Sequence, residues 1–344
     1  MISSSANAHK HYVFLIPNND KHGAQNFFRR LFNKFPEEKK SFYIESSFSS
    51  FRKKFIYFWC MSFKKKMVLF TTVNSNVFGL LLKLTNPKLI LISRLGNTIS
   101  QEIKPNSLNY LKHRIFYKLL LYFTDIFIFQ SSKMKEDFLD FFEFVDNKKF
   151  KVISNGVEIP KLKRSTIYSQ GELKFLLVGS FKFQKGYDIF FNAIAGLSKK
   201  LLSMSSFTIC GDGVLQDDFR EIADRQNYRN IYFKGMTDPT EYYKSCHVYI
   251  LSSRFEGFSN SLIEALSYGL PSIASDCPGP NSEIINSSNG MLFKNEDSQE
   301  LANKIESIAK NILNYNPLLI SNDTRKRFSI ESIAIKYHSL VKQF

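Results

Sequence analysis

The strongest constraint on the fold of this chain is a pattern that runs once through its first half and then restarts. Short apolar runs at Tyr12–Ile16, Ser41–Glu45, Met67–Thr71, Lys88–Ser93, Asp125–Phe129 and Lys149–Ile153 have the length and residue types of strands, and helical stretches such as Asn76–Leu84 and Tyr110–Tyr122 separate them. A polar stretch from Lys161 to Glu172 has no periodicity and reads as a linker. The alternation then resumes, with strands at Phe175–Val178, Ser206–Cys210, Asn230–Phe233, Val248–Leu251, Pro271–Ser275 and Asn289–Phe293. Alternating strands and helices dictate parallel sheets with right-handed crossovers. The expected architecture is therefore α/β, with two doubly wound Rossmann-like domains facing each other across a cleft. The expected segments are an N-terminal domain over 1–160, a linker over 161–172, a second domain over 173–322, and a C-terminal helix over 323–344, amphipathic from about Ile330 to Lys342 and expected to return to the N-terminal domain.

At 344 residues the chain has room for two full cores. A hydrophobic content of 44%, with 35 Phe and 16 Tyr, excludes global disorder. No apolar run approaches the ~20 residues of a membrane-spanning helix, and the Tyr12–Ile16 run is too short for a signal peptide, so a cytoplasmic protein is expected. The four cysteines are far apart and lack metal-ligand spacing, so reduced and mostly buried thiols are expected.

The second half holds the densest chemistry. After the Val248–Leu251 strand, Ser252–Ile285 carries Glu256 and Glu264 with seven residues between them, separated by Gly257-Phe258-Ser259-Asn260-Ser261 and followed by an apolar helical run. Strand, loop and helix in that order put a helix N-terminus at the carboxyl edge of a sheet, where backbone N–H groups and the helix dipole suit a phosphate. Ser261-x-x-Glu264 also fits a capping box, which explains Glu264 by helix chemistry alone. Gly179-Ser180-Phe181-Lys182-Phe183-Gln184-Lys185-Gly186 follows the Phe175–Val178 strand. Its glycines let a ligand approach the backbone, and Lys185 can neutralise a diphosphate.

This combination resembles the E-x₇-E signature of the retaining glycosyltransferases of family four, which have the two-domain GT-B architecture. The resemblance covers nearly the whole chain and is specific from Phe175 to Phe293. It implies that Glu264 holds the ribose hydroxyls and that Glu256, with the N–H groups of Gly257, Phe258 and Ser259, orients the transferred sugar. Lys185, Arg254 and the helix start at Asn260-Ser261 would take the charge of the leaving diphosphate. Gly179, Ser180 and Gly211 would line the donor site, and Gly235 and Met236 would lie near the base. Ser180 stands where the family has an arginine. In the first half the resemblance assigns His22, Gly23, Arg94 and Asn97 to the cleft, although the family's glycine pair is His22-Gly23 here and its histidine is absent.

The activity so implied is metal-independent, retaining transfer of a hexose or N-acetylhexosamine from a nucleotide-sugar, with UDP the family-weighted nucleotide. The acceptor would be a membrane-associated glycan or lipid-linked sugar in capsule, O-antigen or exopolysaccharide assembly. No resident cofactor is expected, and the chain has no D-x-D triplet to hold a diphosphate-bridging cation. The net charge of +16 supports a membrane partner: residues 1–160 hold 25 Lys and Arg against 12 Asp and Glu, and residues 161–344 hold 22 against 19. The basic clusters interleave with aromatics at 27–32, 51–59 and 63–66, which suits the anionic inner face of a membrane. Nucleic acid competes for such a surface but is not the expected partner. Two other classes fit parts of the pattern: a GT-B nucleotide-sugar 2-epimerase and a non-catalytic basic binding partner.

Overall fold

The computed structural model describes residues 11–16, 23–35, 40–44, 48–64, 66–72, 75–96, 98–103, 110–142, 147–161 and 171–344. The chain divides into two compact units, one made of Met1–Gly156 with Ile330–Phe344, the other of Val157–Ser329.

In the first unit the order is β1 (His11–Ile16), α1 (Gly23–Asn33), β2 (Lys40–Ile44), α2 (Phe48–Lys64), β3 (Met67–Thr71), α3 (Asn76–Thr85), β4 (Ile90–Arg94), α4 (Ile99–Glu102), α5 (Tyr110–Phe123), β5 (Ile126–Phe129), α6 (Ser132–Phe141) and β6 (Phe150–Val152). The strands form one parallel sheet in the order β2-β1-β3-β4-β5-β6. Every residue of β3, β4 and β5 is buried, as a parallel sheet covered on both faces requires. Phe14, Val68, Phe70, Ile92 and Ile128 point to one side, where Phe27, Phe28 and Leu31 of α1 meet them. On the other side Val13, Leu15, Leu69 and Leu91 pack with Phe58 of α2 and with Phe78 and Leu82 of α3. Further along that face, Phe127 and Phe129 pack with Tyr117 and Leu120 of α5 and with Phe138 of α6.

Two findings change the sequence expectations here. Residues 51–64 form most of a 17-residue helix, α2, although their charges suggested only basic clusters. Cations between the aromatics mask a narrow inward stripe of Phe55, Phe58, Met61 and Ser62. Conversely, Phe27, Phe28 and Leu31 of the 27–32 cluster are buried in the core, so the aromatics Phe27 and Phe28 are not at the surface.

The second unit runs β7 (Leu173–Val178), α7 (Tyr187–Ala195), α8 (Lys199–Ser203), β8 (Ser205–Cys210), α9 (Gln216–Arg225), β9 (Ile231–Gly235), α10 (Thr240–Ser245), β10 (Val248–Leu251), α11 (Asn260–Ser267), β11 (Ser272–Asp276), α12 (Asn281–Ile284), β12 (Gly290–Lys294), α13 (Ser298–Asn311) and α14 (Pro317–Phe328). Its parallel sheet has the order β12-β11-β10-β7-β8-β9. Phe175 of β7 stacks on Phe207 of β8, with ring centroids 5.0 Å apart, at the centre of one face. Cys60 is exposed; Cys210, Cys246 and Cys277 are buried.

The 323–344 segment is not one element. α14 begins at Pro317, packs on α11 and stays with the second unit; Ser321 donates to the Ser267 carbonyl at 2.7 Å. α15 (Ile330–Lys342) joins the first unit, where Ile333, Tyr337 and Leu340 enter the core beside Phe27 and Phe70. Most of the 161–172 stretch, residues 162–170, lies outside the described residues.

Because α15 completes that core, Ile333→Ala and Leu340→Ala should each cost about 2–5 kcal/mol. Trp59, the only tryptophan, lies on α2 of the same unit. Denaturant unfolding followed by its fluorescence should therefore shift to lower midpoint in both variants. Unchanged midpoints would show that α15 is dispensable to the unit.

Candidate active site

β7 is the first strand of the second unit and lies inside its sheet. The chain builds outward from it through β8 and β9 on one side, then returns to add β10, β11 and β12 on the other. The connections leaving β7 and β10 thus diverge from neighbouring strand ends, the place where ligands bind open α/β sheets. Both loops singled out in the sequence leave from there.

They are joined to each other. The Arg254 N–H donates to the Gln184 carbonyl at 2.8 Å, Gln184 Nε2 to the Phe255 carbonyl at 2.9 Å, and Ser252 Oγ to the Lys185 carbonyl at 3.0 Å. Gly186 makes the approach possible. Its φ is +60°, and a Cβ there would lie 2.2 Å from the Ser252 carbonyl oxygen. At the centre Lys185 Nζ pairs with Glu256 Oε1 at 2.7 Å, and Ser253 Oγ donates to the same oxygen at 2.6 Å. Glu256 is 5% exposed, so the ammonium and hydroxyl offset the cost of holding its carboxylate away from water. Its own N–H donates to the Pro278 carbonyl at 2.9 Å.

On the other side of β7, Gly179 N–H donates to the Cys210 carbonyl at 3.0 Å and Gly211 N–H to the Gly235 carbonyl at 2.8 Å. A Cβ on Gly211 would lie 1.9 Å from the Gly179 carbonyl oxygen, so only glycine lets these strand ends close up. Gly179, Ser180, Gly211 and Gly235 thus share one edge of the unit. Gly235 faces open space and Met236 beyond it is 73% exposed.

α11 starts at Asn260, preceded by Ser259 as N-cap residue, so Ser261 is already inside the helix and Glu264 begins its second turn. The expected capping box is not the arrangement: Ser261 Oγ accepts from Tyr249 Oη at 2.8 Å, and Ser259 Oγ donates to Asn281 Oδ1 at 2.8 Å. Glu264 Oε2 instead accepts from the buried Tyr243 hydroxyl at 3.5 Å. The Tyr243 phenol is pushed far up, by burial first and then by the Glu264 charge. Tyr249 is also pushed up: burial dominates, the Ser261 hydrogen bond opposes it, and the charges of Glu256 and Glu264 both add to it. Both carboxylates of the motif therefore act on one buried phenol. Gly257 and Ser259 are buried in the turn between them, and Phe258 is half-buried against Phe328.

Arg254 is placed differently from its expected role. Its guanidinium makes two bonds to Asp188, at 2.9 and 2.5 Å, one to Glu296 at 2.8 Å and one to the Phe183 carbonyl, and it lies over the Phe183 ring. Burial raises the Asp188 carboxyl, but the Arg254 hydrogen bonds and charge outweigh it and hold it below its ordinary value. The guanidinium is thus committed to fixing the 252–256 loop on α7. Ser253, Asp188, Tyr243, Tyr249 and Asn281 had no motif to announce them, because their partners lie 3 to 66 residues away in the chain.

In the first unit Gly23 opens α1, while His22 and Asn97 lie outside the described residues. Arg94 is 1% exposed, donates to Asn155 Oδ1 and lies 4.6 Å from the Phe27 ring centroid. Burial lowers its pKa. It is an interior residue, closed to a sugar in this conformation. Among the described residues no group of three or more His, Cys, Asp or Glu is arranged to hold a metal ion.

Two parallel-sheet α/β units of this kind define the GT-B fold, and solved structures agree. The crystal structure of Anabaena HepE in complex with UDP superposes with a TM-score of 0.80 at 16% identity, covering 97% of this chain and all of that one. The family model for glycosyl transferases group 1 matches residues 158–327, nearly the whole second unit. An uncharacterised glycosyltransferase of Methanocaldococcus jannaschii is 30% identical over 186 residues, which are 51% of this chain and 44% of that protein. The UDP-Gal:α-D-GlcNAc-diphosphoundecaprenol α-1,3-galactosyltransferase of Escherichia coli is 29% identical over 178 residues, 47% of this chain and 46% of the enzyme. The chain spans about half the length of the curated relatives it matches.

Two measurements follow from this geometry. Lys185→Met leaves the Glu256 carboxylate buried without its cation and should cost about 3 kcal/mol, the low end for a broken buried pair because Lys185 keeps 19% exposure. Adding Glu256→Gln should recover at least about 1 kcal/mol in a double-mutant cycle; strict additivity would deny the coupling. Separately, burial raises the thiols of Cys210 to about 11 and of Cys246 and Cys277 to about 12, while Cys60 is exposed. Iodoacetamide at pH 8 should modify the native protein at Cys60 alone, and rapid labelling at any of the other three would contradict the packing.

Proposed function

We propose that this protein is a retaining glycosyltransferase that moves a hexose or N-acetylhexosamine from a UDP-sugar to a lipid-linked acceptor in surface-polysaccharide assembly. The observation that carries the reading is the Lys185–Glu256 pair, set between the diverging loops of β7 and β10 in a unit of the glycosyl transferases group 1 family. The printed substrates of the E. coli relative, a UDP-sugar and a sugar on diphosphoundecaprenol, support the choice of donor and acceptor classes. The UDP held by HepE supports the nucleotide.

In this reading the donor lies along the carboxyl edge of the second unit. Glu264 accepts the ribose hydroxyls, since an ionised carboxylate is a strong acceptor for a vicinal pair. The base passes near Gly235 and Met236, where the surface is open. The diphosphate crosses Gly179, Ser180 and the first-turn N–H groups of α11, whose dipole favours negative charge. Lys185 is the cation that meets the growing charge on the leaving group. Its present partner, Glu256, then turns to the hydroxyls of the transferred sugar beside the Gly257–Ser259 backbone. Arg254 serves by fixing the loop. Stabilising a leaving diphosphate in this way lowers the barrier by several kcal/mol, about 3–4 for each well-placed donor. Retention follows from attack on the face the diphosphate leaves, with a phosphate oxygen taking the acceptor's proton. Lys185 and the backbone supply the positive charge, so transfer is metal-independent.

Thermal shift against a panel of UDP- and GDP-sugars tests the donor. A UDP-sugar at 100 times its Kd should stabilise the protein by about 2.7 kcal/mol, and Glu264→Ala should remove that gain. A shift unchanged in Glu264→Ala would remove the ribose assignment. A product sugar isomerised without any acceptor would replace transfer by epimerisation, and turnover abolished by EDTA would refute metal independence.

A further inference from the structure

The first unit carries a helical surface apart from the residues assigned to the donor. α2, α3 and α5 lie side by side, α3 packing against both neighbours, and they cover one face of the sheet. A soluble helix in such a layer turns its apolar stripe inward and its polar side to water. These three also show apolar side chains outward.

On α2, Ile56, Trp59 and Phe63 are exposed at spacings of three and four, which places them on one ridge. On α3, Val77, Leu81 and Leu84 repeat that spacing. On α5 the outer ridge is Leu111, Ile115, Leu119 and Tyr122, with Leu111 66% and Tyr122 76% exposed. Single exposed apolar residues are ordinary, but an exposed apolar ridge on each of three neighbouring helices makes an apolar face.

The charge on that face has one sign. From residue 46 to residue 124 the chain holds 13 Lys and Arg and a single acidic residue, Glu102, and none of α2, α3 or α5 contains Asp or Glu. Lys53 and Lys64 flank the ridge of α2, and Lys112 and Lys118 that of α5, all exposed. A nucleic acid would use the cations and gain little from the leucine ridge. A protein partner or second copy needs no uniform sign. A lipid surface with anionic headgroups satisfies both features at once: lysines reach the headgroup phosphates while Trp59, Phe63 and the aliphatic ridges enter the acyl boundary.

We infer that the outer face of α2, α3 and α5 is a membrane-docking surface specific for anionic lipid. It deepens the lipid-linked-acceptor reading, since it would hold the enzyme where such acceptors are found. The docking itself requires neither donor nor acceptor. No helix among the described residues is long and apolar enough to cross a membrane, so attachment through this face is peripheral.

The test is flotation of the full chain with vesicles of phosphatidylcholine alone or with about one third phosphatidylglycerol. The wild type should float only with the anionic vesicles, and less so as salt is raised. Lys53→Gln, Lys64→Gln, Lys112→Gln and Lys118→Gln should each lower partition about fivefold, while the same four changes to Arg should preserve it. Phe63→Ser with Ile115→Ser should lower it about tenfold or more with all lysines present. The UDP-sugar thermal shift should persist in every variant, which separates loss of docking from misfolding and from failure of the donor assignment. Wild type that stays unbound, or variants that float as it does, would overturn the inference. So would a dimer in light scattering that these variants make monomeric, or duplex DNA binding that displaces the vesicles.

Discussion

The pair between Lys185 and Glu256 ties the second unit's chemistry to its topology. The two residues are 71 positions apart, and each sits on a loop that could take many conformations alone. Their 2.7 Å contact exists because β7 and β10 are neighbours in the sheet and their connections leave in opposite directions. Gly186 permits the close approach, Ser253 shares the carboxylate, and Arg254 fixes the same loop against α7 through Asp188. A carboxylate that is 5% exposed needs polar partners close by, and this arrangement supplies them.

Around that pair, burial and charge divide the work. Tyr243 and Tyr249 are phenols held neutral by burial and by nearby carboxylates, so they act as fixed hydrogen-bond donors to α11. Fixed donors set the position of the helix start without competing for a ligand's charge. The first unit shows the opposite economy. Arg94 is enclosed against Phe27 and bonded to Asn155, while exposed lysines and apolar ridges are spread over α2, α3 and α5. One unit concentrates its polar groups at a strand edge, and the other spreads its positive charge over a helical face.

Some residues could be read from the chain because their meaning is local. Glu256 and Lys185 stand next to glycines in loops that follow strands, and period and turn chemistry locate such loops. Met67–Thr71 and Val248–Leu251 have the same bounds in the sequence and in the structure. The partners of Arg254 are not local: it lies two residues from Glu256, but Asp188 and Glu296 reach it from distant segments. Likewise Ser261 and Glu264 have capping-box spacing, but the helix starts two residues earlier than such a box would place it, and Tyr249 takes the serine. The α2 helix was hidden because its surface is as aromatic as its core side.

The sequence by itself determined the α/β alternation, the two-unit organisation, the residues at the edge of the second sheet and the basic bias of the first half. These follow from backbone periodicity, turn chemistry and charge, which act over a few residues or simply add. Tertiary structure alone decided which strands neighbour one another, and therefore that Lys185 meets Glu256 while Arg254 meets Asp188. It also decided that Phe27 and Phe28 belong to the core and Trp59 and Phe63 to the surface. Pairings of that kind depend on loop closure across tens of residues and on which face of an element finds a partner. Neighbouring residues along the chain carry no record of either.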